Sequence, residues 1–149
     1  MNGIGSYVLV VDDLHDAADS MAEMLALWGH ASKARYCGAS ALAAVRDHRP
    51  NLILLDIGMA PMDGFVFASH VRQLSGGDRT AIVAVSGHSG KTFQRRALDL
   101  GIAHYLLKPA DPKLLRPLVG RLMEEAGHRR GFFENPIRKK QACHLAAGG

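Results

Sequence analysis

Short apolar runs alternate with amphipathic stretches along this chain. Tyr7–Val11 is a continuous apolar run rich in β-branched residues, the pattern of a strand buried on both faces. Asp16–Trp28 follows with Ala17, Met21, Met24, Leu25 and Trp28 at helical spacing, and Gly29 suits its C-terminal cap. Ala31–Cys37 carries little apolar content and reads as an edge strand. Ala39–His48 puts Ala39, Leu42 and Val45 on one face, and Pro50 blocks its continuation. Leu52–Asp56 is the clearest central strand. A loop rich in Gly, Pro and Met leads from it into a third helix, Phe65–Leu74. Thr80–Ser86 is a fourth strand, Thr92–Leu100 a fourth helix, and Ala103–Leu107 a short fifth strand. Asp111 and Pro112 suit the N-cap and first position of a last helix. It runs on Leu114, Leu115, Leu118, Val119, Leu122 and Met123 despite Pro117.

Five strand–helix repeats predict an α/β fold, a doubly wound parallel sheet covered on both faces by helices, a three-layer sandwich. Ligands of such folds bind at the carboxyl ends of the strands, near the point where strand order reverses. The polar residues gather there. Strand one ends in Asp12-Asp13, strand three in Asp56, strand four in Ser86-Gly87 and strand five in Lys108-Pro109. If strands one and three are neighbours, three carboxylates share one site and need compensation. A hard divalent cation, Mg²⁺, suits carboxylate, carbonyl and water ligands. Two carboxylates after strand one also argue against a dinucleotide or flavin site, which needs bare backbone N–H groups at that place. Mg²⁺ beside a lysine and a serine hydroxyl fits the stabilisation of a transferring phosphoryl group, with Asp56 as the natural nucleophile.

Charge separates the chain into two parts. The net charge is +4, from 18 Lys and Arg against 14 Asp and Glu. Residues 127–149 hold Arg129, Arg130, Arg138, Lys139 and Lys140 against Glu134, so the excess lies there, and residues 1–126 balance. The expected organisation is a domain at 1–126 and a basic, flexible tail at 127–149. A neutral body argues against a nucleic-acid-binding surface on it. No apolar run approaches the ~18 residues of a membrane span, and no basic stretch precedes an apolar one at the N-terminus, so a cytoplasmic protein is expected. Cys37 and Cys143 lie far apart and support neither a disulfide framework nor a metal site.

The motifs VLVVDD at 8–13, LLDIGMAPMDG at 54–64, VAVSG at 83–87 and YLLKP at 105–109, with the spacing between them, resemble the receiver domain of two-component response regulators, single-domain chemotaxis regulators included. The resemblance covers about residues 6–126. It implies the flavodoxin-like strand order 2-1-3-4-5. It implies that Asp56 is the phosphoacceptor, that Asp13 binds Mg²⁺ directly with Asp12 as its partner, and that the Gly58 carbonyl is a further ligand. Ser86 matches the hydroxyl that hydrogen-bonds the phosphoryl group, and Lys108 the lysine that pairs with its oxygens. Tyr105 matches the aromatic switch, working with Ser86. Gly58 and His88 occupy the positions that tune phosphate lifetime. The Lys108–Pro109 bond is expected to be cis. One departure stands out: Pro61 lies one place late in Met59-Ala60-Pro61-Met62-Asp63-Gly64, so altered loop rigidity beside an intact site is expected.

The expected function is a receiver that takes a phosphoryl group from a histidine kinase or histidine phosphotransfer protein. It would assist its own phosphorylation and hydrolysis and signal by conformational change to an output protein partner. No separate substrate turnover is expected, and a phosphorylation-dependent dimer is left open. Alternatives are the receiver segment of a hybrid kinase, a phosphorelay sink, or a tail-mediated binder of nucleic acid or an acidic partner through its interleaved basic and aromatic residues. A Mg²⁺-dependent phosphatase would need an acid–base carboxylate where Gly58 stands.

Overall fold

The computed structural model describes residues 5–59, 62–87, 90–102 and 104–134, with side chains to 126. Five strands, β1 (Val8–Val11), β2 (Ser32–Arg35), β3 (Leu52–Asp56), β4 (Ala81–Ser86) and β5 (His104–Leu107), form one parallel sheet in the order β2-β1-β3-β4-β5. Five helices lie between and after them: α1 (His15–Leu27), α2 (Gly38–Asp47), α3 (Gly64–Gln73), α4 (Lys91–Asp99) and α5 (Pro112–Glu134). A 3₁₀ turn, Gly77–Arg79, joins α3 to β4.

Period-two alternation sorts the strand side chains to the two faces. Leu9, Val11, Ile53, Leu55, Ile82 and Ala84 pack on one face against α2, α3 and Ala97 of α4. Val8, Val10, Leu52, Leu54, Val83 and Val85 pack on the other against α1 and α5, through residues such as Leu25, Leu115 and Val119. Since both faces are covered, β1 and β3 are buried at every position, which is why they read as unbroken apolar runs. By contrast β2 and β5 are the edges and are half-buried.

The helix ends follow local chemistry. Asp63 caps α3, its Oδ1 accepting from the Val66 N–H at 2.8 Å. After α1, Gly29 takes φ +95°, and the Gly29 and His30 N–H groups donate back to Ala26 and Leu25. This is the paired C-terminal closure for which a residue without a Cβ is favoured. The last helix differs from expectation: it continues past 126 to Glu134, eight residues into the segment read as tail. Pro117 lies inside it, where its missing N–H leaves the Lys113 carbonyl without that partner. Residues 135–149, with the Arg138–Lys140 run, lie outside the described residues, as do Ala60, Pro61 and His88. Among the described residues, no helix is long and apolar enough to cross a membrane.

Candidate functional site

The carboxyl ends of β1 and β3, adjacent in the sheet, bring three carboxylates together. One oxygen from each of Asp12, Asp13 and Asp56 lies within 4.8 Å of the others. Asp12 and Asp56 are each 8% exposed, and Asp13 is the least buried of the three. The arrangement is a direct result of register. Val11 pairs with Leu55, so the residues that follow each of them leave the sheet side by side.

Backbone donors fix two of these side chains. Asp12 Oδ1 accepts from the Leu14 N–H at 3.0 Å, at the start of α1. Asp56 Oδ1 accepts from the Gly58 N–H at 3.1 Å. Lys108 reaches in from the end of β5. Its Nζ lies 3.1 Å from Asp12 Oδ2 and 3.4 Å from Asp56 Oδ1. A main-chain bond holds the base of that lysine, its N–H donating to the Ser86 carbonyl at 2.8 Å. Ser86 is fully buried at the end of β4, so the serine and the lysine are tied to one another. The Lys108–Pro109 peptide bond is cis. Tyr105 is half-buried on β5 and packs against the α2–α3 side of the core. Gly58 is exposed at the rim. A cavity of 410 Å³ opens beside the carboxylates, lined by Asp12, Asp56, Lys108 and apolar residues including Leu14, Ala17 and Met21.

Electrostatics follow from burial and crowding. Burial raises the Asp56 carboxyl above its ordinary value, and the nearby Asp12 adds to the rise. The Gly58 N–H and Lys108 pull the other way without cancelling it. Burial alone would lower the Lys108 ammonium, but its contacts with Asp12 and Asp56 outweigh that and raise it. Three carboxyl groups thus gather at the site where Lys108 brings one ammonium to two of them.

A carboxyl whose pKa is higher folded than unfolded favours folding while protonated, and that contribution is lost as pH rises through the folded value. Without metal, stability is therefore expected to decline as pH rises through the raised value of the Asp56 carboxyl. Thermal melts of wild type and Asp56→Asn across pH 4–8 check this: the variant should show a flatter profile in that window and a higher melting temperature at neutral pH, by roughly 2–4 °C. Equal profiles would mean that Asp56 is not the group responsible.

One structural constraint was not legible as a site residue. A Cβ placed on Gly64 would lie 2.6 Å from the Ile57 Cα and 2.8 Å from the Asp56 carbonyl oxygen. The Gly64 N–H also donates to the Ile57 carbonyl at 2.9 Å. Gly64 thus lets the loop after Asp56 close on itself. The Asp-Gly pair at 63–64 was its one sequence signal.

The chain matches the family model described as the response regulator receiver domain over residues 8–119, and it belongs to that family. It is therefore a receiver domain, a module of two-component phosphoacceptor signalling, and receiver domains bind Mg²⁺ at an acidic pocket of this kind. It is 33% identical over 112 residues to an uncharacterized 14.6 kDa protein encoded in the sodA1 3′ region of Leptolyngbya boryana, covering 75% of this chain and 86% of that one. It is 35% identical over 81 residues to the sensor histidine kinase CheAY of Helicobacter pylori, covering 54% of this chain and 10% of the kinase. It is 33% identical over 104 residues to the transcriptional regulatory protein ZraR of Salmonella typhimurium, covering 70% of this chain and 23% of the regulator. Among solved structures, the chemotaxis protein CheY4 of Vibrio cholerae superposes with a TM-score of 0.74 at 26% identity, over 78% of this chain and 98% of that one.

Proposed function

We propose that Asp56 is the phosphoacceptor of this receiver and that Lys108 and Ser86 stabilise the group it receives. The observation that carries this reading is the convergence of three carboxylates within 4.8 Å of one another on an ammonium that already reaches two of them. The donor is a phosphohistidine on a histidine kinase or histidine phosphotransfer protein. An Asp56 carboxylate oxygen forms the new bond to phosphorus as the bond from phosphorus to the imidazole nitrogen breaks, and that nitrogen keeps the electron pair. The chain assists this transfer and the later hydrolysis of its own acyl phosphate.

The donor set fits Mg²⁺: carboxylates of Asp12, Asp13 and Asp56 with the Gly58 carbonyl. When bound, the ion neutralises charge on the transferring oxygens. Lys108 holds its charge at all physiological pH values, and the Ser86 hydroxyl supplies a neutral donor beside it. Tyr105 on β5 is the readout partner of Ser86. Gly58 leaves the approach to Asp56 open, and His88 is the second residue that sets the lifetime of the phosphorylated state. Output runs through contact with a protein partner.

Intact-mass measurement after incubation with acetyl phosphate and Mg²⁺ tests the assignment. One phosphoryl adduct, about 80 Da, is expected on wild type and none on Asp56→Asn. A folded wild type that stays unmodified, or an Asp56→Asn protein that is modified equally, overturns it. Mg²⁺ is also expected to raise the stability of wild type at neutral pH, by about 1.4 kcal/mol at tenfold its dissociation constant. Melts of Asp13→Asn should show most of that gain removed, and a full gain in the variant would take Asp13 out of the ligand set.

A further inference from the structure

The cavity beside the carboxylates is apolar to a degree that phosphoryl chemistry does not require. Its floor is the α1–α5 face of the three central strands, with Val10 of β1, Leu54 of β3 and Val85 of β4. Its walls are the start of α1 and the segment that follows β5. Apart from Asp12, Asp56 and Lys108, every residue lining it is apolar. The two walls each carry a small, half-buried residue, Ala17 on one and Ala110 on the other. At the rim Leu14 is 63% exposed, and Pro109 is exposed as well, so the cavity opens to solvent. A dry apolar cavity of about 150 Å³ holds benzene, so 410 Å³ has room for a body of two fused rings. An apolar space of this size with a few polar groups converging on one end is the form that small-molecule sites take.

The polar end selects the charge of the ligand. The Lys108 ammonium is matched by Asp12 Oδ2 and Asp56 Oδ1, at 3.1 and 3.4 Å. Asp13 contributes an oxygen to the same cluster and is in no ion pair among the described residues. Three carboxyl groups therefore share one ammonium, and a second cation completes the set. A ligand ammonium finds acceptors there whether or not Asp56 is ionised, because a carboxylate and the carbonyl of a carboxyl group both accept from N–H. An anionic head would instead be repelled by Asp13, and a neutral head would gain hydrogen bonds without the charge.

We propose that this cavity binds a small apolar amine, its ring system between Ala17 and Ala110 and its ammonium at the Asp12–Asp56 end, and that the bound amine excludes Mg²⁺ from the carboxylates. Amine binding follows from the cavity and its charge, whereas the exclusion rests on the metal ligands proposed above. The ion and the ammonium draw on the same oxygens, so each lowers the affinity of the site for the other. An occupied chain is thereby held without the metal that serves phosphoryl transfer to Asp56.

Tryptamine is a suitable ligand for the test, a two-ring body carrying a primary ammonium. Tryptophol and indole-3-propionate are its neutral and anionic counterparts. Chemical-shift titration of the ¹⁵N-labelled full chain at neutral pH without metal reads location and affinity together. Tryptamine is expected to move the amides of Ala17 and Ala110 with a dissociation constant on the order of 1 mM or below. Both counterparts should bind at least about tenfold more weakly. Mg²⁺ at about ten times its own dissociation constant should raise the apparent constant for tryptamine about tenfold. Ala17→Leu and Ala110→Leu fill the cavity from opposite walls, and each should weaken tryptamine by about tenfold or more. Thermal melts report whether each variant is folded, and the second decides should the first fail to fold. Absence of tryptamine binding, shifts that lie away from the cavity, equal affinity for the three compounds, or undiminished binding in a folded variant overturns the site. If Mg²⁺ alone moves the Asp12 and Asp13 amides yet leaves the affinity for tryptamine unchanged, the exclusion is overturned. If Mg²⁺ alone moves neither, the metal ligands proposed above are overturned, and the exclusion with them.

Discussion

Replacing Lys108 with methionine is expected to slow phosphoryl incorporation at Asp56 by about two to three orders of magnitude in a protein that still folds. Methionine keeps the length and apolar stem of the side chain and removes the ammonium. Among the described residues, Lys108 is the cation that reaches both Asp12 and Asp56. Its loss leaves crowded, largely buried carboxylates without an ion-pair partner among the described residues. Two effects separate in the measurement. The rate of acyl-phosphate formation under saturating acetyl phosphate and Mg²⁺ reports the loss of charge stabilisation. Melts without metal report the loss of the ion pairs. The Lys108 ammonium is raised by its partners, so the stability it lends persists from neutral pH upward and is lost as pH rises through that raised value. It also narrows in acid, where the carboxylates become protonated. The stability difference between wild type and Lys108→Met should therefore peak near neutral pH and shrink at both extremes, at about 1 kcal/mol or less because the pair is partly exposed. A variant that incorporates phosphoryl groups within about threefold of wild type would remove Lys108 from the chemistry.

Most of the fold was legible because its main elements are repetitive and local. Unbroken apolar runs mark β1 and β3 as central, and the poor apolar content of Ser32–Arg35 marks β2 as an edge. The site was legible for a related reason. In a parallel sheet the strand ends are neighbours by construction, so Asp12, Asp56, Ser86 and Lys108 are brought to one edge by strand order and register alone. What escaped the sequence depends on contacts distant along the chain. The end of α5 was placed where its apolar stripe stops, near Ala126. A helix needs no sheet beneath it to keep its backbone bonds, and α5 goes on to Glu134. Arg72 reads as an ordinary basic residue near a helix end. Only the tertiary fold brings the carbonyls of Gly77, Thr80, Leu100 and Gly101 around it. The bond from the Lys108 N–H to the Ser86 carbonyl is likewise a product of strand pairing, and neither residue's neighbours in sequence announce it.

Gly64→Ala is expected to be the most damaging of the small substitutions at this edge. The new methyl carbon would stand 2.6 Å from the Ile57 Cα and 2.8 Å from the Asp56 carbonyl oxygen, both of them backbone atoms. Neither can rotate away. Gly64 does not take a positive φ, so the obstacle is space and not dihedral preference. Relief requires the start of α3 to move off the loop, which breaks the 2.9 Å bond from the Gly64 N–H to Ile57 and loosens the turn in which the Gly58 N–H supports Asp56. The expected cost is about 2–4 kcal/mol, a fall in melting temperature of roughly 6–12 °C for a chain of this size. Gly38→Ala is the informative contrast. There the added carbon would meet Met62 Sδ, Cβ and Cγ, which belong to a flexible side chain that can turn aside. That cost should stay near 1 kcal/mol or below. Phosphorylation should separate the two as well. Gly64→Ala disturbs the backbone that aims the Asp56 carboxylate and should lose most of its acyl-phosphate formation even below its own melting temperature. Gly38→Ala should keep it. If Gly64→Ala melts and phosphorylates like wild type, the loop has slack at Gly64. In that case the close fit between Asp56 and the start of α3 does not position the carboxylate.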